Sequence, residues 1–174
     1  MLSKSSSILI LRCLISLICF VLINGCGIYS FTGASISPDT KSINIKTFPN
    51  YAPLIQPTLS QTFTEALKDR FASQTSLTLV GSDGDLTLEG SITDYRTSPV
   101  AVQTGDQASL IRLSITVKVK FSNKKDPKQD FEQSFVRYAD YPSARSLNEV
   151  ENDLIKNINE QLVNDIFNKS VVNW

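Results

Sequence analysis

From Ile111 to Phe121 the chain alternates apolar and polar side chains without a break. Ile111, Leu113, Ile115, Val117, Val119 and Phe121 fall on one side; Arg112, Ser114, Thr116, Lys118 and Lys120 fall on the other. Six consecutive apolar positions on a period of two define a strand over residues 109–122 with one face in a core and one face polar. A one-residue slip in its pairing would turn every apolar side chain outward, so the rest of the chain must supply cover for one face only.

Two segments have the right pattern to provide that cover. Over residues 58–73, Leu59, Phe63, Leu67 and Phe71 recur every fourth residue, and Ala66 thickens the stripe. Over residues 146–169, Leu147, Val150, Leu154, Ile158, Leu162 and Ile166 form a longer stripe, widened by Ile155, Val163 and Phe167. Thr58 with Gln61 and Ser146 with Glu149 fit capping boxes, and the second helix has acids in its first turns and Lys169 at its end, as the helix dipole prefers. Both are expected as amphipathic helices, their stripes packed on the sheet.

The remaining strands carry weaker signals. Residues 42–48 alternate Ile43, Ile45 and Thr47 with Ser42, Asn44 and Lys46. Three prolines within nine residues (Pro49, Pro53, Pro57) then impose a stiff, extended connection to the first helix. Residues 77–80 form a short apolar run, and Gly81-Ser82-Asp83-Gly84 reads as a turn into a strand ending near Tyr95, so these two runs are expected to form an antiparallel hairpin. Residues 97–108 read as a loop. Residues 129–138 make a further strand with Phe131 and Phe135 on one face, which Gln133 and Arg137 share; an edge position or a curved end accounts for that mixture. Pro142 interrupts the chain before the second helix, and the terminal Trp174 either packs back on the sheet or belongs to a contact surface. The order β-α-β-β-β-β-α, with two one-sided helices, predicts an α+β two-layer sandwich: a mostly antiparallel or mixed sheet carrying both helices on one face.

The N-terminus follows a different rule. Lys4 and Arg12 precede an uncharged apolar run over residues 13–23, closed by Asn24-Gly25 ahead of Cys26. That is the three-part pattern of a secretory signal, too short to span a bilayer as a helix, and a cysteine after a small residue at its end resembles the lipobox of bacterial lipoproteins. The alternative is an ordinary signal peptide with Cys26 as an incidental thiol. The expected organisation is a signal peptide over residues 1–25, a lead over 26–41 that begins with an acylated Cys26, and one α+β domain over 42–174.

Of 174 residues, cleavage of 25 leaves 149, enough for one domain. The leader carries Lys4 and Arg12 and no acid, so 15 basic and 17 acidic residues remain, a formal charge of −2 with no general footprint for nucleic acid. Cys13 and Cys19 leave with the leader, so the exported chain has no intramolecular disulfide and depends on its core alone. With no histidine and one acylated cysteine, histidine-based nucleophilic triads and His or Cys metal sites are excluded, and neither metal nor cofactor is expected. Asp83 and Asp85 flank a glycine turn, which accounts for them without calcium. No strand-to-helix glycine loop for phosphate is present. An enzyme is not expected. Arg96, Arg112, Lys118, Lys120 and Arg137 are candidates to converge on the exposed sheet face as a site for an anionic glycolipid or phosphate. The alternative is a solvated face balanced by Asp94, Asp130 and Glu132.

The lipobox with CGIYSFTGAS, the stretch INIKTFPNYAPLIQPTLSQTFTEAL, the strand ITVKVKF, the segment FEQSFVRYADYP and the closing ENDLIKNINEQLVNDIFNKSVVNW together resemble the LptE family of lipopolysaccharide-assembly lipoproteins. The resemblance implies an outer-membrane lipoprotein, lipid-anchored on the periplasmic side, that plugs a large LptD-like β-barrel and helps deliver lipopolysaccharide. It also implies glycolipid contacts from basic residues in the loop between the middle strands and after the last strand. Here residues 97–111 contain no Lys or Arg, so those positions fall to Arg96 and Arg112 at the loop's edges and to Arg145 beyond the last strand. A subunit or ligand-binding module of another envelope assembly or secretion complex is the alternative.

Overall fold

The computed structural model describes residues 36–54, 56–100 and 109–171. Cys26, the leader, most of the loop expected over 97–108 and Trp174 lie outside them. The described elements are β1 (Ser42–Ile45), α1 (Leu59–Gln74), β2 (Thr78–Leu79), β3 (Leu86–Val100), β4 (Leu110–Asn123), β5 (Phe131–Pro142) and α2 (Leu147–Val171). Their order is the expected β-α-β-β-β-β-α, and they build a five-stranded mixed sheet ordered β2-β1-β3-β4-β5. None of the described helices is long and apolar enough to cross a membrane.

The alternation in β4 places Leu113, Ile115, Val117, Val119 and Phe121 at no more than 1% exposure. Leu59, Phe63, Leu67 and Phe71 of α1 and Ile158, Leu162, Val163 and Ile166 of α2 belong to the same buried cluster, so both helices cover one face of the sheet. Burial of that many large side chains, each contributing roughly 1.5–3 kcal/mol, is what holds a domain without disulfides. Edge-to-face contacts between Phe48 and Phe63 (5.3 Å) and between Phe71 and Phe167 (5.1 Å) lie within it.

The expected hairpin of β2 and β3 does not form. β1 lies between them and pairs in parallel with both, Ile43 opposite Leu79 on one side and Leu86 on the other. The glycine-rich turn instead straps across β1 on the face to which Asn44 points. A Cβ on Gly84 would lie 2.6 Å from the Asn44 amide nitrogen, so only glycine permits that crossing. Asn44 is buried beneath the strap and its Nδ2 donates to the Val80 carbonyl (2.9 Å). Asp83 takes a positive φ of 59°, which Asp tolerates better than most residues. The Asp85 carboxylate closes the crossing by accepting from the backbone N–H groups of Lys41 (2.9 Å) and Ser42 (3.1 Å) and from the Ser42 hydroxyl.

Other departures are local. β1 stops at Ile45, yet Pro49, Asn50 and Tyr51 still run beside Ile92 of β3 through a parallel bridge, so the proline connection is tied to the sheet. Thr58 makes no side-chain cap on α1; Gln56 caps it, its Oε1 accepting from the N–H groups of Thr58 (2.8 Å) and Leu59 (2.9 Å). β3 continues past Tyr95 to Val100 because a bulge between Ile92 and Asp94 shifts the register. The extra residue returns Tyr95 to the core and turns Arg96 to the polar face. β5 runs through Pro142, which an edge strand accommodates.

Candidate functional site

The sheet face without helices is where the sequence placed its basic residues. Cross-strand neighbours on one face approach closely enough for side chains to pair, and here they pair by charge. Glu89 of β3 sits between Lys46 (2.6 Å) and Lys120 (3.3 Å). Lys118 meets Glu132 of β5 at 2.5 Å. Arg112 grips Asp140 in a two-pronged contact, Nε to Oδ1 at 2.7 Å and Nη2 to Oδ2 at 2.9 Å, and lies 3.6 Å over the Tyr138 ring. Arg96 meets Asp94 at 3.2 Å. The face is therefore a ladder of ion pairs in which each of these basic side chains has an acid beside it. Asp94 and Glu132 take part as expected; Asp130 instead accepts from the Asn123 N–H at 2.7 Å.

The neighbouring cations set the protonation of these acids. Hydrogen bonding from Lys46 and then Lys120 holds Glu89 below the ordinary carboxylate range; Lys118 does the same for Glu132, and Arg112 for Asp140. Exposed pairs like these are strongly screened by water and contribute little to stability, so their effect lies in orienting side chains. Between β1 and β5 the face is hollowed into an open depression of about 400 Å³, whose lining includes Lys46, Tyr51, Glu89, Lys118, Lys120 and Glu132.

Arg112, Lys118, Lys120 and, by way of the bulge, Arg96 share this face. Arg137 does not. It lies opposite Ile115 in the β4–β5 register, which puts it on the helix side, where it forks onto Asp165 of α2 at 2.6 and 2.8 Å. An arginine at a sheet edge can lay its stem on the core and carry its head to water, which is why it shares a face with Phe135. Arg145 sits in the turn before α2, 3.7 Å from Glu149. Lys46, Glu89, Tyr138 and Asp140 complete the face. Lys46 was legible as the polar member of its strand pattern; the others become partners only through the pairing register.

A second concavity of about 370 Å³ lies between α1 and α2, lined in part by Thr62, Ala66, Ile155 and Asn159. The buried Oδ1 of Asn159 has no hydrogen-bond partner. No group of three or more His, Cys, Asp or Glu side chains that could hold a metal ion occurs among the described residues.

A search of curated protein sequences finds no match. Among solved structures, a hypothetical protein of Chlamydia trachomatis superposes with a TM-score of 0.52 at 13% identity, covering 77% of this chain and 99% of that one. A minor lipoprotein of Acinetobacter baumannii (TM-score 0.45, 15% identity, 76% and 96% covered) and the rare lipoprotein B of Shewanella oneidensis (0.47, 9%, 72% and 89%) also match. The first of these likenesses concerns the fold alone. A model of the LptE lipopolysaccharide-assembly family matches residues 40–170, essentially the whole two-layer domain, and the chain belongs to that family.

Proposed function

We propose that this protein is an outer-membrane lipoprotein, held at the periplasmic side by acyl chains on Cys26, that serves as the plug-like accessory subunit of an LptD-like β-barrel in lipopolysaccharide assembly. The observation that carries the reading is the self-neutralised polar sheet face on a chain of the lipopolysaccharide-assembly family. Such a face suits a water-filled barrel lumen, because it stays hydrated without repelling the charges of the wall. The role is one of binding and assembly, with no chemical step and no cofactor. Two or three acyl chains, at about 0.8 kcal/mol per buried methylene, would anchor the protein durably and raise its effective concentration at the barrel.

Direct contact with lipopolysaccharide is the finer part of the proposal. Of the six basic candidates, Arg96, Lys120 and Arg145 are the most available, with side chains 70%, 55% and 54% exposed and paired at 3.2, 3.3 and 3.7 Å. Arg112 and Arg137 are committed to two-pronged carboxylate contacts, and Lys118 to Glu132. A second reading, a free-standing ligand-binding lipoprotein, is favoured by the groove between the helices with its unpartnered Asn159 oxygen.

The test is purification of the tagged full-length protein from outer membranes in mild detergent. Recovery of a large β-barrel at one-to-one stoichiometry, and loss of both proteins' association when Cys26→Ser releases the protein from the membrane fraction, supports the plug role. Recovery of a monomer without a barrel favours the ligand-binding reading instead.

A further inference from the structure

The two helices face each other through rows of side chains at every fourth position. On α2 the row is Ile155, Asn159, Val163 and Phe167; along α1 it is Thr58 at the cap, then Thr62, Ala66 and Arg70. Toward the helix C-termini the space between the rows is filled, because Phe167 stands edge-on to Phe71 at 5.1 Å and lies under the Arg70 guanidinium at 6.0 Å. Toward the N-termini α1 offers only small side chains, and the concavity of about 370 Å³ is the space they leave before Ile155 and Asn159. Protein interiors close such gaps by interdigitating large and small side chains. Here the gap stays open.

Asn159 alone breaks the apolar character of the α2 row. It is 5% exposed, and its Oδ1 has no hydrogen-bond partner. Buried polar atoms are almost always paired, and one left unpaired lowers stability. Leucine has nearly the same shape and would complete the row, so packing gives no reason for an amide at this position. The last torsion of an asparagine is soft, so the carbonyl can turn toward a donor that enters the groove it lines. The threonine hydroxyls opposite are already engaged. That of Thr58 donates to Gln56 Oε1 (3.0 Å), and that of Thr62 to the carbonyls of Thr58 (3.1 Å) and Leu59 (3.3 Å). Lys156 and Glu160 stand at the rim, and their opposite charges select no net charge in a guest.

We infer that the groove between α1 and α2 binds a small uncharged molecule with an apolar body and a single N–H or O–H donor. The body lies on Ile155 and Ala66, and the donor meets the Asn159 carbonyl. A mostly apolar concavity with one placed polar group is the usual form of a small-molecule site, the apolar area giving affinity and the polar group orientation. The site shares its groove with the ligand-binding reading above and names the class of ligand. It lies on the helix layer, away from the ion-paired sheet face, so it stands whether or not a barrel is recovered.

N-phenyl-1-naphthylamine is a probe of this kind: uncharged, apolar, fluorescent once out of water, and bearing one N–H that its N-methyl analogue lacks. The full chain carrying Cys26→Ser, purified without detergent, should bind it saturably at one-to-one stoichiometry and about tenfold more tightly than the N-methyl analogue. Asn159→Leu should bring the two probes to equal affinity and raise the melting temperature by removing the unpaired oxygen; an asparagine with a merely structural role would lower it. Ala66→Trp, which fills the groove, should abolish binding of both probes. Absence of saturable binding, equal affinity of the two probes for the unaltered groove, or a preference that survives Asn159→Leu overturns the inference. So does a dimer that Ala66→Trp splits, which would make the groove a contact between copies. Should either variant fail to fold, the affinity ratio of the two probes for the unaltered groove decides.

Discussion

Gly90 lies where β3 passes beneath Phe48, and replacing it with alanine is the most direct test of how the core was assembled. A Cβ there would sit 2.0 Å from the Lys118 carbonyl oxygen and 2.6 Å from a ring carbon of Phe48. Neither neighbour can step aside. Lys118 lies in the β3–β4 ladder opposite Ser91, and Phe48 is fully buried edge-on against Phe63. Overpacking of a filled core costs about 1–3 kcal/mol, and with two immobile contacts Gly90→Ala belongs near the upper end. Against this, alanine gains about 0.5–1 kcal/mol over glycine in chain entropy, which is the smaller effect. The net loss is about 2 kcal/mol. For a domain of this size that lowers the melting temperature by about 4–8 °C, measurable by circular dichroism on the purified mature protein. Phe48→Leu in the same chain should recover part of the loss, giving a coupling energy between the two sites. If Gly90→Ala melts with the unaltered protein, the ring of Phe48 is not seated on the glycine and the packing described here is wrong.

Tyr95 is buried and donates from its hydroxyl to Glu151 of α2, so Tyr95→Phe should destabilise by about 1–2 kcal/mol, read as a lower urea midpoint at unchanged slope. Asp85, Glu89, Glu132 and Asp140 all have folded pKa values below the ordinary 3.8 or 4.5, the first through the Lys41 backbone N–H and the others through Lys46, Lys118 and Arg112. Their contribution is complete above those ordinary values and is lost as pH falls through the depressed ones, so the urea midpoint should hold steady from pH 7 to about 5 and fall below pH 4. High salt should weaken the surface pairs within that fall and leave the backbone-held Asp85 component, which Asp85→Asn removes; a midpoint indifferent to pH below 4 contradicts the assignment.

What the residues announced was whatever rests on local periodicity. β4 and both helical stripes are repeats readable within one element, and their burial matches the pattern. The neighbour of β1 is not local information. Gly81-Ser82-Asp83-Gly84 suits a hairpin turn and a strap equally, and only the fit of Gly84 on the Asn44 backbone decides between them. Asn44 shows the same limit from the other side: its place in the polar row predicted solvent, and the strap covers it. The bulge after Ile92 shows in the sequence only as the break at Thr93-Asp94-Tyr95, yet it determines which way Arg96 points. At the candidate site the basic residues were visible as a polar row, while their partners were not. Glu89 and Asp140 are far from Lys46 and Arg112 in sequence and meet them only once the register is set.

The strapped position of β1 has a mechanical consequence. Were Cys26 anchored as proposed, tension from it would enter the described sheet at Lys41 and Ser42, whose N–H groups are held by Asp85. β1 is a central strand with parallel neighbours on both sides, so a pull along its axis loads both ladders in shear together instead of peeling one bond at a time. A load arriving from the N-terminal side therefore meets the Asp85 clamp and both ladders of β1 together before it reaches the rest of the sheet.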